Sequence, residues 1–195
     1  MRAPVAGDGG VGQRERILDA AFRLMADRGA SGTSMRQLAS ACGVNVATLY
    51  HYFPSKAELL RSVIEERQYD VLLREPPLPD PSLPARDRMA ALIVMMWEGS
   101  LEEERVWRLL LSEAFHADAT ALAVGRDLLA TIEAAVAGWL PSLFPELAVD
   151  ADVAARTVTG QLFALIVENL FLPEAERAAN AARRAADAAA LLFPR

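Results

Sequence analysis

Between Ser34 and Glu58 the chain signals the start of a helix three times. Ser34-Met-Arg-Gln37 is a capping box, in which a hydroxyl takes one free amide and a glutamine reaches back to another. Asn45 stands where a side-chain oxygen caps the next helix. Pro54-Ser55-Lys-Ala-Glu58 is a turn followed by a second capping box. So close a succession leaves room only for short helices, over about 35–42 and about 46–52, with Gly43 breaking the chain between them. Ile17, Ala20, Ala21, Leu24 and Met25 recur at helical spacing ahead of this segment, and Gly29 ends that first helix. Three short helices with a tight link between the second and third make a helix-turn-helix arrangement. The box at Ser55 opens a fourth helix, expected to run to about Arg74.

The rest of the chain is also read as helical. Its apolar residues are mostly alanine and leucine, which favour helices, and β-branched runs are short. Residues 74–86, REPPLPDPSLPAR, hold five prolines and form a stiff extended linker. Helices are expected over about 85–99, 101–116, 118–140, 151–172 and 174–193. Ser100-Leu-Glu-Glu103 is read as another capping box, and Pro141 and Pro173 as stops. The expected fold is all-α, with residues 1–12 a flexible tail, 13–60 a helix-turn-helix domain and 61–195 a helical body.

Charge is distributed unevenly. Residues 1–61 carry eight Arg or Lys against five Asp or Glu, a net +3 that leaves −9 on the rest of a chain totalling −6. A basic front on an acidic body points to an anionic partner at one end. The single cysteine, Cys42, excludes an internal disulfide framework and reads as a small packed group. No apolar leader opens the sequence, and the apolar run LFALIV, interrupted by Glu168 and Asn169, is too short to span a bilayer. A cytoplasmic protein with no membrane partner is expected.

Two of the three tyrosines, one of the two histidines and the only lysine fall between Tyr50 and Lys56. Leu49 and Phe53, four apart, share the inward face of the third helix, so Tyr50 and Tyr52 point elsewhere. Val46, Ala47 and Thr48 in its first turn present methyls suited to thymine, and the Thr48 hydroxyl suits a base edge or a phosphate. A phenol is a donor on a rigid arm. Lys56 opens the next helix, where free amides already favour an anion. Ser34 and Arg36 repeat that arrangement at the second helix. The cluster thus suits docking on DNA backbone. The same residues also suit a core helix with a wet edge, and the third helix has no Arg or Lys of its own for base readout.

Residues 33–60, TSMRQLASACGVNVATLYHYFPSKAELL, resemble the DNA-binding signature of the TetR family of repressors. The matching positions are Ser34, Leu38-Ala39, Cys42-Gly43-Val44, Asn45, Thr48-Leu49-Tyr50, Tyr52-Phe53 and Lys56. Cys42 stands where alanine is usual and Asn45 where serine is common. The resemblance implies a homodimer reading a palindromic operator in double-stranded DNA through Ser34, Arg36, Val46, Ala47, Thr48, Tyr50, Tyr52 and Lys56. It also implies that the carboxy-terminal helices provide dimerisation and a small-molecule effector pocket, with no cofactor. The effector itself is not implied.

Two stretches of the body add to this on physical grounds. Alanine occupies nearly every face of residues 174–193, which suits close helix approach at an interface as well as a helix of high propensity. Residues 161–172 are apolar nearly all round, interrupted by Glu168 and Asn169. Candidate pocket residues are Met96, Trp97, Trp107, Phe115 and His116, with Met95 and Trp139 also large enough, although each also suits ordinary core. His116, with Glu113 on its helical face and Asp118 nearby, reads as a surface histidine before a metal ligand. No nucleophile elbow, phosphate-binding glycine loop or metal spacing points to an enzyme. The expected function is a ligand-responsive repressor. The alternatives are a helical small-molecule binder whose helix-turn-helix is vestigial, and an activator of the same fold.

Overall fold

A computed structural model describes residues 12–66 and 73–194 of the chain. Among these residues every regular element is a helix. They are α1 (Gln13–Arg28), α2 (Met35–Ala41), α3 (Val46–Tyr52), α4 (Lys56–Glu65), α5 (Ala85–Glu102), α6 (Glu104–Phe115), α7 (Ala119–Leu143), α8 (Ala151–Asn169) and α9 (Glu174–Leu192). The expected tail lies outside the described residues except for its last, Gly12. So does most of the expected continuation of α4 beyond Glu66, residues 67–72.

The described residues form two compact units. One comprises 12–66 together with Leu109–Leu122; the other comprises 73–108 and 123–194. The first unit contains the whole of the expected helix-turn-helix stretch 13–60. The first unit keeps α4, because Leu59, Leu60, Val63 and Ile64 are buried and α4 packs on α1. It also takes in the second half of α6.

In the first unit, α1 buries Ile17, Leu18, Ala21, Phe22 and Met25 and packs against α2 and α4, while α2 packs on α3. The second unit is built on α5, α7, α8 and α9. Met89, Leu92, Ile93 and Trp97 meet Val136, Trp139, Leu140 and Phe144, together with the inner residues of α8 and α9. Ala181, Ala185, Ala188 and Ala189 are buried in this core, where α9 lies along α5. Their small side chains permit that close approach, so this part of the alanine stripe serves packing inside the chain rather than between chains. The proline stretch is free of helix up to Pro84, where α5 begins.

Three local expectations fail here. Ser100 opens no helix: α5 runs through it to Glu102, and its hydroxyl donates back to the Trp97 carbonyl at 2.7 Å. Burial of Trp97 holds that turn in the core, and the break falls at Glu103 instead. Pro141 does not stop α7, which continues to Leu143. Pro141 itself is exposed, whereas Leu140 and Phe144 are buried, so the lost amide bond lies on the wet side while core packing carries the chain onward. Helix α8 ends at Asn169, and the Phe171 and Leu172 amides close a tight turn on the Glu168 carbonyl.

Candidate nucleic-acid interface and effector cavity

The turn between α2 and α3 is closed by backbone bonds from Gly43 N to Ser40 O (3.2 Å) and from Val44 N to Ala39 O (3.0 Å). This pattern needs a residue of positive φ, and Gly43 has φ 67°. The box at Ser34 closes in both directions, and Asn45 and Ser55 each cap the helix that follows. Ser34 N donates to Gln37 Oε1 at 2.8 Å and Gln37 N to Ser34 Oγ at 3.2 Å. Thr48 N donates to Asn45 Oδ1 at 2.7 Å, and Glu58 N to Ser55 Oγ at 3.0 Å. Leu38, Ala39, Leu49 and Phe53 point inward and are buried.

None of the eight sequence-derived DNA positions is buried. Ser34, Arg36, Ala47 and Tyr50 are exposed, and Val46, Thr48, Tyr52 and Lys56 are half-buried. Tyr50 is 47% exposed, too wet for a core residue. Tyr52 stands edge-on to His51, with ring centres 5.5 Å apart, and its phenol donates to Gln13 Oε1 at 3.3 Å. Lys56 Nζ donates to the Ala30 carbonyl at 2.9 Å. An ammonium has three donors, so this bond fixes the side chain while leaving it able to meet an anion. Cys42 packs against α1 with its thiol 3.6 Å from the Ile17 carbonyl, and burial pushes its pKa up, which keeps it a thiol.

Sequence reasoning missed the residue that holds the α1–α2 loop. Glu113 is 1% exposed. Its carboxylate accepts from Ser31 N at 2.9 Å and from the Ser31 hydroxyl. A Cβ on Gly29, which has φ 76°, would stand 3.0 Å from Glu113 Oε1. Thr33, also buried, donates to the Gly29 carbonyl at 2.7 Å. Loop 29–33 is therefore pinned by Glu113 and Lys56, from two different helices. The signal was present: Val106, Leu109, Leu110 and Glu113 share one helical face, so the carboxylate sits on the apolar side.

The second unit contains a cavity of about 530 Å³. Met95, Met96, Trp107 and Trp139 line it, with Phe163 and Thr159 from α8. Of the five sequence candidates, Met96 and Trp107 line this cavity and three do not. Trp97 is 3% exposed and belongs to the core of α5. Phe115 is 88% exposed. His116 is exposed in the first unit, its Nδ1 2.7 Å from the Ser112 carbonyl, while Asp118 caps α7 through Thr120 N and Ala121 N. Helical spacing put all five in one region of sequence, but α6 turns Phe115 and His116 outward.

Glu168 serves to clamp α8 to α9. It accepts from Asn180 Nδ2 at 2.7 Å and pairs with Arg184. The Asn180 bond, with Arg184 beside it, holds its carboxyl below the usual range against a smaller opposing effect of burial. Asn169 is buried.

Residues 17–63 match the family model described as bacterial regulatory proteins, tetR family. The HTH-type transcriptional repressor KstR2 of Rhodococcus jostii is 28% identical over 125 residues, covering 59% of this chain and 61% of that protein. The HTH-type transcriptional regulator UidR of Escherichia coli is 36% identical over 61 residues, 31% of each chain. The chain thus spans less than two thirds of the length of these curated relatives. Salmonella enterica GusR has a TM-score of 0.68 at 23% identity, over 92% of this chain and 93% of that one. A TetR transcription regulator from Haloarcula marismortui reaches 0.73 at 17% identity, over 92% and 97%. These two likenesses establish a shared fold along nearly the whole described chain.

Proposed function

Because the chain belongs, through residues 17–63, to the tetR family of bacterial regulatory proteins, we propose that it is a cytoplasmic transcriptional repressor. It binds a palindromic operator as a homodimer and releases it on binding a small hydrophobic effector. The observation that carries this reading is the exposure pattern of α2 and α3. Leu38, Leu49 and Phe53 are buried, while Ser34, Arg36, Ala47 and Tyr50 face solvent on helices held by a glycine turn. Among the described residues no helix is long and apolar enough to cross a membrane.

In this reading α3 enters the major groove. The first-turn side chains Val46, Ala47 and Thr48 meet base edges, and Tyr50, Tyr52, Ser34 and Lys56 meet phosphates. Arg36 is long enough to reach either. Support for pairing of chains comes from apolar surface around α8 and α9, where Phe171 is 81% and Leu191 76% exposed. The effector occupies the cavity of the second unit and favours a dimer whose recognition helices no longer fit half-sites about 34–36 Å apart. Coupling is reciprocal, so operator weakens effector binding by the factor that effector weakens operator binding. With one lysine and few arginines at the interface, on chains carrying −6 each, the dependence of binding on salt should be shallow.

The test is selection of bound sequences from random duplex DNA, followed by binding of the recovered site with Tyr50→Phe and Arg36→Ala. Both substitutions lie on exposed side chains and leave the fold intact. Recovery of a palindrome whose binding both variants weaken supports the reading. A folded protein, freed of any co-purified ligand by unfolding and refolding, that still selects nothing would leave a helical small-molecule binder in its place.

A further inference from the structure

Loop 29–33 contains one peptide group that is held from both sides. The N–H of Ser31 donates to Glu113 Oε2 at 2.9 Å, and the carbonyl of Ala30 accepts from Lys56 Nζ at 2.9 Å. That amide and that carbonyl belong to the same planar unit, in which they point in opposite directions. A carboxylate on α6 and an ammonium at the start of α4 thus sit at the two ends of one peptide dipole, each at the end that suits its charge. Both bonds have an ionic partner, which makes them stronger than bonds between neutral groups. Bonds joined through one polarisable group also strengthen one another. Glu113 is 1% and Ala30 2% exposed, so the arrangement is shielded from water. A carboxylate so buried is costly unless its oxygens are met, and the Ser31 hydroxyl is a second donor to Oε2. The loop has little freedom to turn this peptide over. Thr33 ties the Gly29 carbonyl at 2.7 Å, and Glu113 Oε1 lies against Gly29.

We infer that Glu113 is a positioning residue for operator binding. It is too buried to touch DNA, but by orienting the Ala30–Ser31 peptide it holds the Lys56 ammonium where that group meets a phosphate. The inference rests on the reading above that Lys56 contacts operator DNA, and it adds the residue that places it. A lysine by itself is a point charge on a flexible stem. The bond to Ala30 restricts that stem, and two N–H donors remain for phosphate oxygens. Without Glu113 the peptide is free to rotate, its carbonyl leaves Nζ, and docking must order the side chain afresh.

Lys56 is the only lysine of the chain. A short pulse of acetic anhydride, located by peptide mass, therefore reads this one side chain apart from the terminal amine. Glu113→Met keeps volume and removes the carboxylate, whereas Glu113→Gln keeps an oxygen for Ser31. Labelling of Lys56 is expected to rise severalfold in Glu113→Met and to stay near the parent in Glu113→Gln. Val158→Ala, in the core of the second unit, destabilises the chain away from the loop and should leave labelling unchanged. If Glu113→Met does not fold, Ser31→Ala decides: its side chain is exposed, it gives up one of the two bonds to Glu113, and labelling should rise by less. Affinity for the recovered palindrome should fall about tenfold in Glu113→Met. The dependence of log affinity on log salt should become shallower by about 0.9 per subunit, because one phosphate contact is lost. Glu113→Gln should restore both. Lys56 labelling that Glu113→Met leaves unmoved, or that Val158→Ala raises equally, overturns the inference. So does a labelling rise with operator affinity and salt dependence unchanged. A parent chain that selects no DNA, with the Lys56 response intact, removes the functional reading and supports the placement of Lys56 by Glu113.

Discussion

Helices α2 and α3 and the cavity-bearing helices α5 and α7 obey different rules. The first two have seven residues each, and each starts at a side chain that bonds its own third amide: Ser34 for α2 and Asn45 for α3. In α5 and α7, of 18 and 25 residues, the local signals at Ser100 and Pro141 are overridden. A two-turn helix has few internal hydrogen bonds, so one cap is a large share of its stability. A long helix with a buried face is held by that face, and one contrary residue does not end it. The reading surface is therefore locally specified, and the body is specified by burial.

Four results would break or sharpen that contrast. The largest effect is expected where even the short helices depend on burial. Phe53→Ala, at a side chain 1% exposed, should cost about 3–5 kcal/mol, measured by urea unfolding; a loss under 1 kcal/mol would mean that the caps alone hold the unit. Glu113→Ala should come next, because it strands the Ser31 amide. A cost of about 1–3 kcal/mol is expected, with loss of amide-exchange protection concentrated in residues 29–33. Protection lost evenly along the chain would argue against a local pin.

The caps provide the direct comparison. Asn45→Ala should cost about 1 kcal/mol, and Gly43→Ala about 1–2 kcal/mol from backbone strain alone, since no atom stands within 4 Å of the added Cβ. Ser100→Ala should stay within about 0.5 kcal/mol. A Ser100 cost matching that of Asn45 would erase the distinction between the two regions.

The smallest effect concerns pH. The carboxyl of Glu168 is held below its ordinary range by Asn180 and Arg184. Its contribution is therefore fully present above the ordinary glutamate range and lost as pH falls through that range to the lower folded value. Melting temperature measured from neutral to acid pH should fall less steeply in Glu168→Gln than in the parent chain. Parallel curves would show that the clamp carries no linkage.

Much of the fold was legible in residue order. The inward pair Leu49 and Phe53 follows from 3.6-residue spacing, and the positive φ of Gly43 follows from the need for a residue without a Cβ. The exposure of Tyr50 follows from the same spacing. The candidate pocket residues were legible only in kind. Large flexible side chains marked the region, but which of them line a cavity depends on how α5, α7 and α8 approach one another. Trp97 went to the core, and Phe115 and His116 went to solvent.

The sequence by itself determined an all-helical chain, the turn between α2 and α3, and the solvent-facing set from Ser34 to Lys56, because caps, glycine conformation and helical period act over a few residues. Only the tertiary structure decided that Glu113 pins the loop after α1, that Lys56 rests on Ala30, and that α9 spends its alanines against α5. Those pairings join residues far apart in the chain, and the energy that selects them is burial and hydrogen bonding, which no short stretch of sequence contains.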